Sequence, residues 1–155
     1  RGLPLYAGRG ALNMNGFSIL PTDWAHDQSR LSQVRRAVFI EEQKVPEELE
    51  WDADDAGALH LLALDDQGRP IGCARLLPGG HIGRMAVLPG RRGQGVGRAL
   101  LDAALQAAQA RGHTTLKLSA QTHAAAFYAR AGFVGVGEIY EEAGIPHVAM
   151  EKNLL

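Results

Sequence analysis

The chain has 155 residues, of which 46% are apolar, and a formal net charge of −1. This length suits one domain with a single core. The near-neutral charge gives the chain no electrostatic reason to bind nucleic acid or an anionic membrane. No apolar run approaches the roughly 20 residues that span a bilayer. The single cysteine, Cys73, lies in an apolar run, which predicts a buried thiol, excludes an intrachain disulfide and is typical of a cytoplasmic protein.

The first segment, residues 1–13, has no hydrophobic period and is rich in Gly and Pro. We expect it to be a tag or an upstream extension, with Met14 as the natural start, because no long apolar core marks it as a secretion signal. Residues 14–155 are then predicted to form a single domain without repeats or linkers.

The first half of this domain predicts one helix among several strands. Residues 17–20 predict a strand, and residues 24–40 predict a helix with Leu31, Val34 and Val38 on one face. Residues 41–55 then carry eight acids and one lysine, a net charge of −7. Further strands are predicted at residues 59–64, 71–77 and 81–88, the first two joined by a hairpin connection at 65–70.

The second half alternates helices and strands. A glycine-rich loop at residues 91–98 leads into a helix that is predicted to end near Arg111, with Gly112 as its C-cap. A strand at 114–119, a helix at 122–130 and strands at 133–140 and 147–152 follow. The helix that connects strands 81–88 and 114–119 makes these two strands parallel. The sequence therefore predicts an α/β (α+β) fold with a mixed sheet and helices on both faces.

The loop at residues 91–98 has the composition of an anion site. Gly93, Gly95 and Gly97 permit close approach of a ligand to the backbone, and the helix that follows directs unpaired N–H groups and a positive dipole end towards it. Three arginines add charge, so a diphosphate is the expected ligand. A P-loop would need Lys and Ser or Thr after its last glycine. A dinucleotide fingerprint would need a glycine at position 98, where this chain has Arg98, and an acid at the end of the next strand, where it has none. Both nucleotide-binding motifs therefore match poorly.

The pattern Arg92-x-x-Gly95-x-Gly97 resembles the acyl-CoA-binding motif of the GCN5-related N-acetyltransferase (GNAT) superfamily. A second element of that family, Tyr-x-x-x-Gly-Phe, is matched by residues 128–133. Residues 38–45 and 142–147 are similar to a branch of small, uncharacterised bacterial members. The resemblance covers residues 16–153 and implies a mostly antiparallel, twisted sheet in which a central parallel strand pair splays apart.

The resemblance also implies direct transfer of an acetyl group from acetyl-CoA to a primary amine within a ternary complex, without a metal. The partner is then a small-molecule or peptide amine, and a homodimer is compatible with this reading. The residues that the resemblance assigns to the cofactor are Met85, Ala86, Val87, Arg91, Arg92, Gly93, Gln94, Gly95, Val96, Gly97, Arg98, Gln121 and Tyr128. Met85, Ala86 and Val87 are expected to use main-chain groups for the pantetheine arm.

The resemblance makes Tyr128 the proton donor to the departing thiolate, whereas a purely structural interpretation leaves it as an aromatic packing residue. An amine with a pKa of about 10.4 must also lose a proton before it attacks. The candidate bases are Glu41, Glu42, His60, His81, His123 and His147, of which Glu42 and His147 are selected by their positions. No pair of histidines has the i, i+4 spacing of a metal site.

The acidic segment 41–55 has two interpretations. It is either a solvated helix and loop, or it borders the acceptor entrance and favours a cationic amine. Trp51 within it either covers the acceptor or anchors the loop.

Two other functions remain open from the sequence. A non-catalytic acyl-CoA-binding module would keep the glycine loop but would not need Tyr128. An enzyme similar to acyl-homoserine-lactone synthases would share the fold and an early Arg-x-x-Val-Phe, matched here by residues 35–39. The complete glycine motif and the Tyr-x-x-x-Gly-Phe element favour an ordinary acetyltransferase.

Overall fold

The computed structural model describes residues 16–155. The expectation that residues 1–13 are a tag and that Met14 is the natural start lies outside the described residues.

Within residues 16–155, seven strands form one sheet in the order β1-β2-β3-β4-β5-β7-β6. Among these described strands, β4 and β5 are parallel and every other neighbouring pair is antiparallel. The predicted mixed sheet is therefore confirmed. The strands are β1 Phe17–Thr22, β2 Leu59–Asp65, β3 Pro70–Leu76, β4 His81–Val87, β5 Thr115–Gln121, β6 Val134–Glu142 and β7 Ile145–Asn153.

The described α-helices are α1 Trp24–Arg35, α2 Glu47–Glu50, α3 Val96–Ala110 and α4 Ala125–Arg130. The helix predicted over residues 24–40 is correct only in part, because α1 ends at Arg35 and a π-helical segment, Arg36–Glu42, continues it. The Gln43 N–H closes this segment with a 3.0 Å bond to the Val38 carbonyl. The wider turn brings both Val38 and Phe39 into the core. The last two strands also run longer than the sequence pattern predicted.

Helices cover both faces of the sheet, as predicted. Leu61 and Ala63 of β2 pack in the same cluster as Leu100 and Leu101 of α3. Leu62, which lies between them in β2, packs with Leu31 and Val34 of α1 on the other face. Alternate residues of a strand point to opposite faces, so α1 and α3 enclose the sheet from its two sides.

The parallel pair β4–β5 separates after two paired positions. His81 pairs with Lys117 and Ile82 with Leu118, and no further pairing joins the strands although β4 continues to Val87. A register shift in β3 and a positive φ of +47° at Arg84 mark a bulge where β4 turns away. The expected splay is therefore present, and it opens a gap between the two strands.

Candidate active site

A cavity of about 890 Å³ fills the gap between β4 and β5. The two strands, the start of α3, α4, the π-helical segment and the β6–β7 hairpin all contribute to its wall. The predicted site residues that line it are Glu42, Met85, Ala86, Val87, Arg92, Gly97, Gln121, Tyr128 and His147. The other predicted cofactor residues, Arg91, Gly93, Gln94, Gly95, Val96 and Arg98, belong to the adjoining loop and the first turn of α3. A smaller cavity of about 380 Å³ beside Trp24 is lined by Trp51 but by none of the residues assigned to the cofactor or to catalysis.

The glycine loop has the geometry of an anion site. Gly93 and Gly95 have φ values of +76° and +87°, a backbone conformation that side chains disfavour. Gly95 precedes α3, and within the described residues no side chain caps this helix start. The first helical bond runs from the Ala99 N–H to the Gly95 carbonyl at 3.0 Å. The amides of the first turn therefore carry the uncompensated partial charge of the helix dipole and suit a bound diphosphate.

Each arginine of this loop already has a partner in the protein. Arg92 donates to the Val87 carbonyl at 2.9 Å and binds both carboxylate oxygens of Glu42 at 2.6 and 2.8 Å. The Arg91 Nε donates to the side chain of Gln94, and the Arg98 Nε donates to the carboxylate of Asp102. A phosphate that engages Arg92 must compete with Glu42. The free amides of α3 are consequently the best-prepared donors of the loop.

Main-chain groups of β4 face the gap at alternate positions. The Leu88 N–H donates to the Ile71 carbonyl at 2.9 Å, so the alternation of antiparallel bonds directs the main chain of Val87 away from β3. By the same alternation the main chain of Ala86 bonds to its register partner Cys73. The register therefore favours Val87 over Ala86 for a main-chain contact to a ligand, and the contact expected from Ala86 stays a prediction.

Tyr128 projects from α4 towards β4. Its hydroxyl lies 3.6 Å from the sulfur of Met85, and its ring makes edge contacts with Phe127 and Phe133 at centroid distances of 5.1 and 6.1 Å. Burial raises the pKa of the Tyr128 hydroxyl to about 12. The hydroxyl is consequently protonated at neutral pH and acts as a donor. Among the described residues its hydrogen-bond partner is a weakly accepting sulfur, so the proton is available to a stronger acceptor.

His147 is buried in the cavity wall with one ring nitrogen committed. The Nδ1 atom lies 2.7 Å from the Ile145 carbonyl oxygen, and its ring stacks on Tyr140 at a centroid distance of 6.0 Å. A carbonyl oxygen only accepts, so we assign the donor N–H to Nδ1. The neutral ring then carries its lone pair on Nε2. This arrangement fixes the tautomer that a general base requires.

Glu42 is a weaker base in this structure. The double contact with Arg92 lowers the pKa of the Glu42 carboxyl, because the guanidinium stabilises the charged form. Release of Arg92 towards a phosphate would remove this partner and raise the basicity of Glu42. A base role for Glu42 would therefore depend on whether Arg92 stays bound to it.

The remaining base candidates divide by position. His81 and His123 line the cavity, whereas Glu41 and His60 do not. His60 is fully buried, and its Nε2 donates to the Asp55 carbonyl at 3.0 Å. Burial lowers the pKa of His60 and favours the neutral ring. His60 therefore stabilises the fold and is wrong as a candidate base.

Five of the eight acids in segment 41–55 form ion pairs with arginines, namely Glu42, Glu47, Glu50, Asp52 and Asp55. The Arg35 guanidinium, which is 1% exposed, lies 2.8 Å from both Glu50 and Asp55. The Arg84 Nε atom lies 3.0 Å from Glu50. These contacts belong to a network that contains Arg35, Glu50, Asp52, Asp55, Arg75 and Arg84. These acids are not a solvated helix and loop, because several of them are buried and paired. They are also not a surface with seven unbalanced negative charges at the acceptor entrance, so both interpretations of segment 41–55 need correction.

Trp51 anchors this loop and does not line the main cavity. Its ring stacks on the guanidinium groups of Arg35 and Arg36 at 5.1 and 5.7 Å, and its indole N–H donates to Glu47. The interpretation of Trp51 as a cover for the acceptor is therefore wrong. The stacking explains why an aromatic residue stands inside an acidic stretch.

Two residues of the cavity wall, Gln43 and Glu142, were not selected from the sequence. Gln43 and Gln121 exchange amide hydrogen bonds of 2.8 and 3.2 Å, which connect the end of the π-helical segment to the end of β5. Glu142 borders the cavity from the β6–β7 hairpin. Gln43 carried no sequence signal. Glu142 stands in the 142–147 motif, but the pattern alone did not indicate that its carboxylate faces the cavity.

Within residues 16–155, no group of three or more His, Cys, Asp or Glu side chains is arranged to hold a metal ion. The same described range contains no helix that is long and apolar enough to cross a membrane.

Comparisons with known proteins agree with this architecture. A family model described as the acetyltransferase (GNAT) domain matches residues 25–154. The uncharacterized N-acetyltransferase YjcF of Bacillus subtilis is 36% identical over 124 residues, which cover 77% of this chain and 88% of that protein. Protein ElaA of Escherichia coli is 32% identical over 133 residues, which cover 81% of this chain and 86% of that protein.

Solved structures give the same result. The crystal structure of an acyl-CoA N-acyltransferase from Pseudomonas aeruginosa has a TM-score of 0.79 at 38% identity and covers 88% of this chain and 99% of that chain. The crystal structure of Escherichia coli ElaA has the same TM-score at 29% identity, with the same coverage of both chains. These likenesses confirm the fold and the family resemblance that the two sequence motifs predicted.

Proposed function

The chain belongs to the GNAT acetyltransferase family, and we propose that it transfers an acetyl group from acetyl-CoA to a primary amine by direct attack in a ternary complex. Membership of the family supports an acyltransferase that uses acyl-CoA. The acetyl donor, the amine acceptor and the direct mechanism are the finer part of the proposal.

The described residues fit an acyl-CoA in two places. The uncapped start of α3 offers amides to the diphosphate, and the gap after Ile82 and Leu118 has room for the pantetheine arm. The main chains of Met85 and Val87 face this gap. When bound, acetyl-CoA supplies a thioester carbon for the amine to attack and a thiolate that departs.

The observation that carries the proposal is the position of Tyr128 at the splayed strand. Its hydroxyl lies beside Met85, at the strand edge where the pantetheine arm would end, and burial keeps it protonated, with a pKa raised to about 12. A thiol has an ordinary pKa of about 8.5. A departing thiolate is a stronger acceptor than the sulfur of Met85, so Tyr128 can donate its proton during the transfer.

We propose His147 as the group that takes the proton from the amine. Its Nδ1–H bond to Ile145 holds the lone pair on Nε2, and the ring lies in the wall of the same cavity as Tyr128. Glu42 is the second candidate, and its basicity depends on whether Arg92 leaves it. The donor and the base are therefore contributed by different elements, α4 and β7.

A thiol-release screen tests this function. The protein is incubated with acetyl-CoA and with amines of different classes, namely polyamines, amino acids, aminoglycosides, peptide N-termini and lysine side chains, and each product is identified by mass spectrometry. The proposal expects thiol release that depends on the amine and an acetylated amine as product. Tight CoA binding without release from any amine would instead identify a non-catalytic binding module. Butyryl-CoA in place of acetyl-CoA measures the preference for acyl length.

A further inference from the structure

Among the described residues, the charged side chains of the cavity wall are paired with one exception. Arg92 binds Glu42, Arg84 binds Glu50, and Arg75 binds Asp52 and Asp55. Glu142 also lines the cavity, yet within residues 16–155 its carboxylate has no salt bridge. When the histidines are neutral, the paired charges of this wall cancel, and the carboxylate of Glu142 leaves the wall with one net negative charge.

Glu142 is positioned at the acceptor side of the cavity. It ends β6 directly before the turn at Ala143 and Gly144, and it is the register partner of Ile145, two residues from His147. It is within electrostatic range of His81 at the start of β4. The glycine loop that suits the diphosphate instead follows the opposite end of β4. The free carboxylate is thus next to the proposed base, on the side away from the diphosphate.

We propose that Glu142 determines acceptor specificity by binding a second, distal positive charge on the amine substrate. This inference rests on the proposed function and adds the substrate class, an amine with a remote cationic group. The reacting amine must itself be neutral when it attacks, so a fixed carboxylate in the wall is better matched to a charge elsewhere on the same molecule. A diamine or a lysine-like amine fits this requirement.

This assignment replaces segment 41–55 as the origin of a preference for cations. Glu50 is buried against Arg35 and Arg84, and Glu47 is bound to Arg36 and Trp51 outside the main cavity. Their charges are already balanced and cannot attract a substrate cation in the cavity. Glu142 has no such partner.

The test compares three acceptors of similar length that differ at the far end: 1,4-diaminobutane, butylamine and 4-aminobutyrate. Thiol release gives kcat/KM for each with the wild type, Glu142→Gln, Glu142→Lys and the control Glu141→Gln. Glu141 is the neighbouring acid of β6, is exposed and does not line the cavity, so its removal changes the net charge equally.

We expect the wild type to favour the diamine over butylamine by about fivefold when rates are expressed per amino group, the upper range for an exposed ion pair. The ratio should fall to about one in Glu142→Gln and persist in Glu141→Gln, and Glu142→Lys should favour 4-aminobutyrate. Added salt should reduce the wild-type ratio, because an exposed charge is screened.

Three results would overturn the inference. Equal rates for the diamine and butylamine in the wild type would refute Glu142 as a specificity residue while the proposed acetyl transfer stands. An equal loss of the ratio in Glu141→Gln would assign the effect to general charge. An absence of thiol release with all three acceptors and the wider amine screen would overturn the proposed function together with this inference.

Discussion

Replacement of Tyr128 by Phe separates proton donation from packing. The change removes one oxygen and keeps the ring that contacts Phe127 and Phe133. With a pKa near 12, about one hydroxyl in 10⁴ is ionised at pH 8. The wild type therefore has its donor fully protonated throughout the ordinary assay range. We expect kcat to fall on the order of 10²-fold in the Phe variant, the usual contribution of a general acid, which corresponds to about 2.7 kcal/mol of activation free energy.

The same variant should leave folding and cofactor affinity nearly unchanged. The hydroxyl donates to the sulfur of Met85 at 3.6 Å, and sulfur is a weak acceptor. We expect the free energy of unfolding to change by less than about 1 kcal/mol, since little hydrogen-bond energy is lost. Stopped-flow or steady-state thiol release gives kcat, calorimetry gives the Kd of acetyl-CoA, and thermal melting gives the stability.

The pH profile supplies a further control. A hydroxyl with a pKa near 12 loses its proton only in strongly alkaline solution, so Tyr128 should cause no decline of the wild-type rate below about pH 10. Full turnover of the Phe variant at every pH would refute the donor role and leave Tyr128 as a packing residue. A large loss of stability in the variant would equally contradict the reasoning from its contacts.

The other predictions test the loop, the ion network and the thiol. Gly95→Val should weaken CoA binding at least tenfold in calorimetry, about 1.4 kcal/mol, because φ is +87° there. Arg35→Met should cost about 3–5 kcal/mol of unfolding free energy, because it removes one of the two arginines that balance each of the buried acids Glu50 and Asp55, whereas Arg36→Met removes an exposed pair and should cost under about 1 kcal/mol. If denaturant melts give equal losses of unfolding free energy for the two variants, the buried position of Arg35 and the exposed position of Arg36 would be contradicted. Burial raises the pKa of Cys73 to about 12, so iodoacetamide at pH 8 should modify only unfolded protein.

The sequence predicted the parts of the fold that depend on local pattern. Alternating and continuous apolar runs located all seven strands, and the crossover helix correctly indicated the parallel pair. The end of α1 was not predictable, because Val34 and Val38 suit an α-helix and a π-helical turn equally well. Hydrophobic periodicity reports which face is buried and does not determine the hydrogen-bond spacing.

The ion network could not be predicted because its members are far apart in the chain. Arg35 binds Glu50 and Asp55, which follow it by 15 and 20 residues, and Arg84 binds the Glu50 carbonyl across 34 residues. A charged residue in a helical pattern is ordinarily assigned to the solvent side. Only the tertiary structure shows that Arg35 is held between the rings of Trp24 and Trp51.

The candidate site was predictable where a motif specifies backbone geometry. The glycine spacing of residues 93–97 indicated positive φ values and a helix start directly after the loop, and both are present. Anion binding at this helix start stays a prediction. Side-chain pairing was not accessible in this way. The Arg92–Glu42 contact joins residues 50 positions apart, and the unpaired state of Glu142 depends on where every other charge of the wall lies.

The central claim is direct transfer from acetyl-CoA to an amine, and it is tested by initial rates measured while both substrates are varied, with intact-protein mass spectrometry after incubation with acetyl-CoA alone. Direct transfer predicts intersecting double-reciprocal lines and a protein without an added acetyl group, because in the proposed mechanism Tyr128 and His147 only transfer protons and neither forms an acyl bond. Parallel lines together with a stoichiometrically acetylated protein that passes its acetyl group to the amine would contradict it.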